Sequence, residues 1–153
     1  MKEPASDREN VSEAYAKAVR RPAGGPGPCG GPVQKGVVVK VAGYSRKELE
    51  ALPPDAVENS FGCGNPLAFS EVRAGDVVVD LGSGAGIDIL LAARKVGPQG
   101  YVIGIDMTEE MIAKARENVA RSGLTHVEVR KGTIEEMPVD SASADWVISN
   151  CVI

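Results

Sequence analysis

The sequence predicts an α/β fold built on a doubly wound parallel sheet, and three observations carry that reading. From Asp76 onward short apolar runs alternate with helical segments, a glycine triplet occupies the first strand-to-helix junction, and Gly97 and Gly123 close the two longer helices. Short strands joined by helices of about 10–15 residues favour parallel pairing with right-handed crossovers. In order, "VVVDL" reads as a strand, "GIDILLAARKVG" as a helix, "YVIGID" as a strand and "TEEMIAKARENVARSG" as a helix with Thr108 at its N-cap. "HVEVR" is a third strand, "TIEEM" a short helix and "DWVISNCVI" a fourth strand. No internal repeat is visible.

Upstream the texture differs. "RENVSEAYAKAVR" places Val11, Ala14, Tyr15, Ala18 and Val19 at helical spacing, with Ser6 or Asp7 as cap and Pro22 just beyond the end, which predicts an amphipathic helix. "RPAGGPGPCGGPVQKG" is too rich in Gly and Pro to hold a regular element, so Cys29 is expected on a mobile loop. "SRKELEAL" opens with a capping box, Ser45 to Glu48, and reads as a short helix ended by Pro53 and Pro54. In "NSFGCGNPLAF", Gly62 and Gly64 bracket Cys63 in a tight turn, while Asn65 as cap and Pro66 at the first helical position begin another short helix. The chain thus divides into a helical and Gly/Pro-rich extension, residues 1–75, expected to cover the site, and a core from 76 to 153.

Composition narrows the function. A chain of 153 residues, 43% hydrophobic and 25% charged, has the balance of one soluble domain. A net charge of −4 with two Phe, three Tyr and one Trp leaves neither a basic footprint nor a stacking platform for nucleic acid. No apolar run approaches the ~20 residues that span a bilayer, and the N-terminus lacks a signal-peptide core, so the expected location is the cytoplasm. The three cysteines, Cys29, Cys63 and Cys151, form no CxxC pair and read as reduced thiols.

The glycine triplet points to a ligand. Gly82, Gly84 and Gly86 follow the first strand and open the first crossover helix, where backbone can approach a ligand and the helix N-terminus offers unpaired N–H groups. The spacing is G-x-G-x-G, since Ile87 takes the last position of the dinucleotide pattern. A pyrophosphate needs that bare helix end, whereas a ligand without phosphate can rest on the Gly82-Ser83-Gly84 loop beside carboxylates such as Asp80 and Asp88. Asp106 closes the second strand about twenty residues on, where an acidic residue accepts both ribose hydroxyls. Together these features predict a nucleoside-containing cofactor.

At this point the residues resemble a family, the class I S-adenosylmethionine-dependent methyltransferases. "VVVDLGSGAGID" looks like its first motif and "VIGIDM" like its acidic strand end, and residues 44–153 are similar to the arsenite methyltransferases in particular, most specifically at "GCGNP" and "ISNCVI". The resemblance implies a Rossmann-like fold, S-adenosyl-L-methionine as cofactor, and arsenite or its thiol conjugates as substrate, with a cellular thiol reductant, glutathione or thioredoxin-like, as partner. It implies that Cys63 and Cys151 hold As(III), with Cys29 a further thiol that binds or relays it. The preference is chemically sensible, because As(III) is thiophilic. The implied reaction is an in-line displacement in which the arsenic lone pair takes the sulfonium methyl, so that alignment in a dry site supplies the catalysis and no general base is required.

The same resemblance assigns Thr133, Ile134 and Glu135 to the adenine end of the cofactor, Met107 to the adenine's other face, and Asn150 to a position beside the cofactor. Plainer readings stand next to these. Cysteine is among the most buried residue types, so Cys151 in an apolar strand fits simple core, and Met107 fits core filler. "KGTIEEMP" can be a capped turn with solvated acids. His126, the sole histidine, is expected at the solvent-facing start of the third strand, and Lys114, Arg116 and Glu117 on a solvated helix face. Since the family's sheet carries further strands, the chain is expected to be truncated after the fourth, with impaired activity. Two other readings remain open: a non-catalytic cofactor- or metalloid-binding module, and a methyltransferase for a small organic substrate with structural cysteines. A dinucleotide oxidoreductase is disfavoured by Ile87.

Overall fold

The computed structural model describes residues 7–20, 43–60, 64–68 and 70–150. The expectations for the loop around Cys29, the turn at Gly62 and Cys63, and the position of Cys151 lie outside the described residues.

Four strands form one parallel sheet: β1 (Val77–Leu81), β2 (Tyr101–Asp106), β3 (Val127–Lys131) and β4 (Trp146–Ser149), in the spatial order β3-β2-β1-β4. β1 pairs Val78 with Val102 on one side and with Trp146 on the other, so the chain starts in the middle of the sheet and winds outward in both directions. This is the Rossmann-like arrangement the alternating pattern predicts, and it creates a switch in strand order between β1 and β4 at the carboxyl ends of the strands. Central position explains composition. β1 is buried along almost its whole length and has no polar alternation, whereas at the edges β3 alternates its valines with Glu128 and Arg130 and β4 leaves Val147 exposed.

The crossover helices are α4 (Ile87–Val96) and α5 (Glu109–Ser122). α4 is apolar nearly all round, and only Arg94 and Lys95 reach out, because it is covered on both sides. One side packs on Val78, Val102 and Ile148 of the sheet; the other meets Tyr44, Leu52, Ala56 and Leu67 of the upstream segment. Ile89 and Leu90 at its centre are fully buried, a gain of roughly 1.5–3 kcal/mol each over exposure. The opposite sheet face carries Val79, Leu81, Ile103 and Ile105, packed against Val139 and Ala144.

Before the sheet come α1 (Asp7–Arg20), α2 (Arg46–Glu50), α3 (Pro54–Glu58) and a 3-10 turn, Pro66–Ala68. The capping box at Ser45 is present, with the Glu48 N–H donating to Ser45 Oγ and the Ser45 N–H to the Glu48 carboxylate. Several details depart from the sequence expectation. Pro54 does not only follow one helix; it opens α3, since proline at the first helical position needs no N–H partner. α1 buries Ala16 and Val19, while Val11 is exposed at 45% and Ala14 also faces out. "TIEEM" forms bends rather than a helix. His126 is half-buried, its Nε2 2.8 Å from the Ala93 carbonyl, which ties the start of β3 to α4. On α5, Lys114 reaches Asp55 at 2.9 Å and Arg116 donates to the Val129 carbonyl, so this face docks α3 and β3 instead of being merely solvated.

Gly104 in β2 is where sheet and glycine loop meet. A Cβ there would stand 2.8 Å from Ser83 Oγ and 2.9 Å from Ser83 Cβ, closer than atoms pack without displacement. Gly104→Ala is expected to destabilise the chain by about 1–3 kcal/mol, seen as a lower urea midpoint with an unchanged slope.

Candidate functional site

The turn from β1 into α4 holds Gly82, Gly84 and Gly86 at φ of 73°, 53° and 97°. All three are left-handed, a region that costs side chains with a Cβ roughly 1–2 kcal/mol, so this loop is built from glycine by necessity. It folds over the end of β2, where the Gly82 and Ser83 N–H groups donate to the Ile105 carbonyl at 2.8 and 3.0 Å. Asp106 braces the next step. Its Oδ2 accepts from the Gly84 N–H at 2.9 Å, and its Oδ1 accepts from the Thr108 N–H at 2.8 Å. Thr108 stands at the N-cap of α5 without capping it through its side chain, and its own N–H is the one Asp106 holds.

Around this loop lies a cavity of about 270 Å³. Gly82, Ser83, Gly84, Asp88, Asp106, Met107, Thr133, Ile134, Glu135 and Asn150 all line it, drawn from the ends of β1, β2, β3 and β4. The strand ends converge because the sheet is parallel, and the β1/β4 switch leaves a crevice there. Asp80 is the exception among the expected cofactor residues. It is 1% exposed, does not line the cavity, and sits below it on the sheet face that α4 covers. His126 and Lys114 are likewise absent from the lining.

Several lining residues had not been picked out from the sequence. Arg8, Val11 and Tyr15 of α1 face the cavity, and α1 is fastened there by Arg8 to Glu135 at 2.7 Å, by an ion pair between Arg20 and Glu110, and by Ser12 to Thr108 at 3.3 Å. Asn59 and Ser60 arrive from the end of α3. Val11 and Tyr15 read in the sequence as part of the apolar stripe of an amphipathic helix, so nothing set them apart as lining residues. Asn59 and Ser60 were hidden by reading Pro54 as a stop.

A second network adjoins the first. The Tyr44 hydroxyl donates to Asp88 Oδ1 at 2.6 Å, and Asn150 Nδ2 donates to Asp88 Oδ2 at 3.1 Å. Burial raises the Asp88 pKa, and these two donors partly offset it. Burial also raises the Tyr44 hydroxyl pKa, reinforced by the charge on Asp88, so Tyr44 remains a donor. Asp80 is pushed well above the usual carboxylate range, first by burial and then by the charges of Asp88 and Asp106, and its Oδ1 has no hydrogen-bond partner. Among the described residues no group of three or more His, Cys, Asp or Glu side chains could hold a metal ion. No helix among them is long and apolar enough to cross a membrane.

A parallel sheet with this strand order, a glycine loop at the first junction and an acid at the end of β2 defines a nucleoside-binding α/β domain. The chain belongs to the methyltransferase domain family, whose model matches residues 73–153. It is 51% identical over 111 residues to an arsenite methyltransferase of Halobacterium salinarum, an alignment covering 72% of this chain and 28% of that protein. Among solved structures it resembles CrArsM, an arsenic (III) S-adenosylmethionine methyltransferase from Chlamydomonas reinhardtii, with a TM-score of 0.62 and 34% identity over 70% of this chain and 38% of that one. It also resembles a SAM-dependent methyltransferase from Aquifex aeolicus, with a TM-score of 0.53 and 29% identity over 73% of this chain and 54% of that one. The chain therefore spans well under two thirds of the length of each of these relatives.

The buried acid gives a test. A carboxyl whose folded pKa is raised holds its proton more tightly in the folded state, so its contribution is most favourable below the ordinary carboxylate pKa and is lost as pH rises through the folded value. Asp80→Asn removes that penalty. The variant is expected to melt higher than wild type at pH 7 without ligand, with the gain shrinking as pH falls toward about 4; melting curves across this range measure it.

Proposed function

We propose that the cavity binds S-adenosyl-L-methionine and that the chain serves methyl transfer to As(III) held by the thiolates of Cys63 and Cys151. The observation that carries the cofactor half is the placement of Asp106. Each of its carboxylate oxygens already accepts one backbone N–H, and a carboxylate has about four acceptor positions, so two remain for a pair of ribose hydroxyls. The acidic surroundings suit a cation. Asp88 and Asp106 line the wall, Asp80 lies behind them with an unpartnered oxygen, and the arginine in the lining, Arg8, is already paired with Glu135.

In this reading Ile134 and Met107 supply apolar contact for the adenine, Thr133 and Glu135 border it, and Gly82, Ser83 and Gly84 let backbone approach the rest of the molecule. Asp88 and Asn150 stand toward β4, the side from which the substrate thiolates would approach. Residues 1–75 act as the cover over the core at 76–153, which α1 supports through Arg8, Val11 and Tyr15. When bound, S-adenosylmethionine supplies a methyl group already activated by its sulfonium. The protein's own part is to hold arsenic, align it and keep water out, without a base. Forming an arsenic–carbon bond from the arsenic lone pair raises the metalloid's formal oxidation state. A thiol reductant, glutathione or thioredoxin-like, is therefore the proposed partner for repeated rounds, with Cys29 a further thiol for relay. The relatives named for arsenite methylation support the substrate assignment.

Binding and transfer are measured separately. Calorimetry is expected to show S-adenosylmethionine binding and no comparable affinity for NAD, and Asp106→Ala is expected to weaken the former at least tenfold, about 1.4 kcal/mol. Arsenite binding is expected to be lost in Cys63→Ser and in Cys151→Ser while cofactor binding stays. Methylated arsenic formed equally well by both serine variants would remove the thiolate assignment and favour a substrate that the cysteines do not hold.

A further inference from the structure

The polar lining of the cavity follows the order of the strands. Ile134 and Glu135 come after β3, Asp106 closes β2, Asp88 stands on the first turn of the helix after β1, and Asn150 follows β4, while the strands lie in the order β3-β2-β1-β4. Charge is spread unevenly along that line. At the β3 end Glu135 is paired with Arg8 at 2.7 Å, whereas toward β4 the Asp88 carboxylate is held by the neutral donors Tyr44 and Asn150. S-adenosylmethionine is uneven in the same sense. Its adenosine is neutral, and its sulfonium, its ammonium and the net positive charge of the molecule all belong to the methionine part. With adenine at Ile134 and ribose at Asp106, that charged end falls beside Asp88.

Asp88 is 4% exposed, and a ring of three side chains fixes it. The Tyr44 O–H donates to Asp88 Oδ1 at 2.6 Å, Asn150 Nδ2 donates to Asp88 Oδ2 at 3.1 Å, and the same Nδ2 lies 3.2 Å from the Tyr44 oxygen. The Gly64 backbone seats the ring, its N–H donating to Asn150 Oδ1 at 3.1 Å and its carbonyl accepting from Nδ2 at 2.6 Å. An amide donates at one end and accepts at the other, so these partners admit one orientation of Asn150. A carboxylate has about four acceptor positions, and one donor on each oxygen leaves about two for a cation in the cavity.

We propose that Tyr44 is a positioning residue: through this ring it holds the Asp88 carboxylate as the counter-charge for the cationic methionine end of S-adenosylmethionine. The proposal rests on the cofactor reading of the cavity above. Tyr44 is 7% exposed and does not line the cavity, so it acts on the ligand through Asp88 and not by contact. Its ring belongs to the core cluster that surrounds α4, which Tyr44→Phe preserves while deleting the hydroxyl. A buried carboxylate that loses a donor is freer to turn and holds its proton more tightly, so it presents less charge to the ligand.

The test compares two ligands by calorimetry at pH 7 in the full chain. 5′-Methylthioadenosine keeps the adenosine and lacks both positive groups. Tyr44→Phe is expected to weaken S-adenosylmethionine about 5- to 10-fold, the scale of a lost hydrogen bond to a charged group, and methylthioadenosine less than about twofold. Asp88→Asn keeps the shape and removes the charge; it is expected to weaken S-adenosylmethionine at least about tenfold with the same sparing of the neutral ligand. In Asp88→Asn protein, adding Tyr44→Phe is expected to change S-adenosylmethionine affinity by less than about twofold, because a residue that acts through the carboxylate has nothing left to act on. Equal losses for the two ligands, or losses that add in the double variant, overturn the proposal. Should Tyr44→Phe fail to fold, Asp88→Asn decides alone: a loss confined to the charged ligand upholds the counter-charge, and an equal or absent loss overturns it. Failure of the cofactor reading looks different, since wild-type protein would then bind neither ligand.

Discussion

The constraint on which the site depends is the contact between the glycine loop and the end of β2. The loop must leave β1, cross the top of β2 and enter α4 within a few residues, and it does so lying on Gly104 and the Ile105 carbonyl. Left-handed backbone at Gly82, Gly84 and Gly86 makes the path possible. Asp106 then fastens it, one oxygen on the loop and the other on the start of α5. A single carboxylate thereby fixes the relative positions of two helix N-termini and faces the cavity between them. The same geometry that satisfies buried N–H groups also leaves the acid's remaining lone pairs directed at a ligand.

Charge distribution follows from this packing. Asp80 is on the sheet face covered by α4, and Asp88 is on α4's first turn, so the close approach of strand and helix brings two acids together under one wall. Among the described residues the compensation is partial: Tyr44 and Asn150 donate to Asp88, and Asp80 Oδ1 receives nothing. A site that retains such a cost in its empty state is better matched to a positive ligand than to a neutral or anionic one. The phosphate-bearing dinucleotides would meet repulsion here as well as the wrong glycine spacing at Ile87.

The sequence was most legible where periodicity and backbone chemistry agreed. The strands of the sheet are apolar runs short enough to exclude helices, Gly97 and Gly123 end the crossover helices, and Ser45 with Glu48 names its own capping box. Short-range polar segments were less readable. "TIEEM" has helix-forming residues, yet Gly132 is committed to the Asp106 carbonyl and the segment turns to bring Thr133, Ile134 and Glu135 to the cavity, which tertiary contact decides and local propensity does not. Pro54 carries two opposite meanings, helix stop and helix start, and only the burial of Ala56 in the core, with α3 against α5, selects between them. Lys114 looked like a solvated lysine because its partner Asp55 is distant in sequence. Tyr44 gave no sign at all, since a lone tyrosine directly before the Ser45 capping box has no periodic context, and its role appears only through Asp88 and Asn150.

Asp88 and Asn150 belong to two networks at once, and this has an energetic consequence. Both line the cavity, and the Asn150 amide that donates to Asp88 also pairs with the Gly64 backbone. A ligand that draws Asp88 or Asn150 toward itself changes the orientation the amide can keep, so occupation of the cavity and the registry of residues 64 and 150 are linked. Tyr44 stands outside the cavity yet bonds Asp88 and lies 3.2 Å from Asn150 Nδ2, so a residue behind the wall sets the orientation of two side chains that line it.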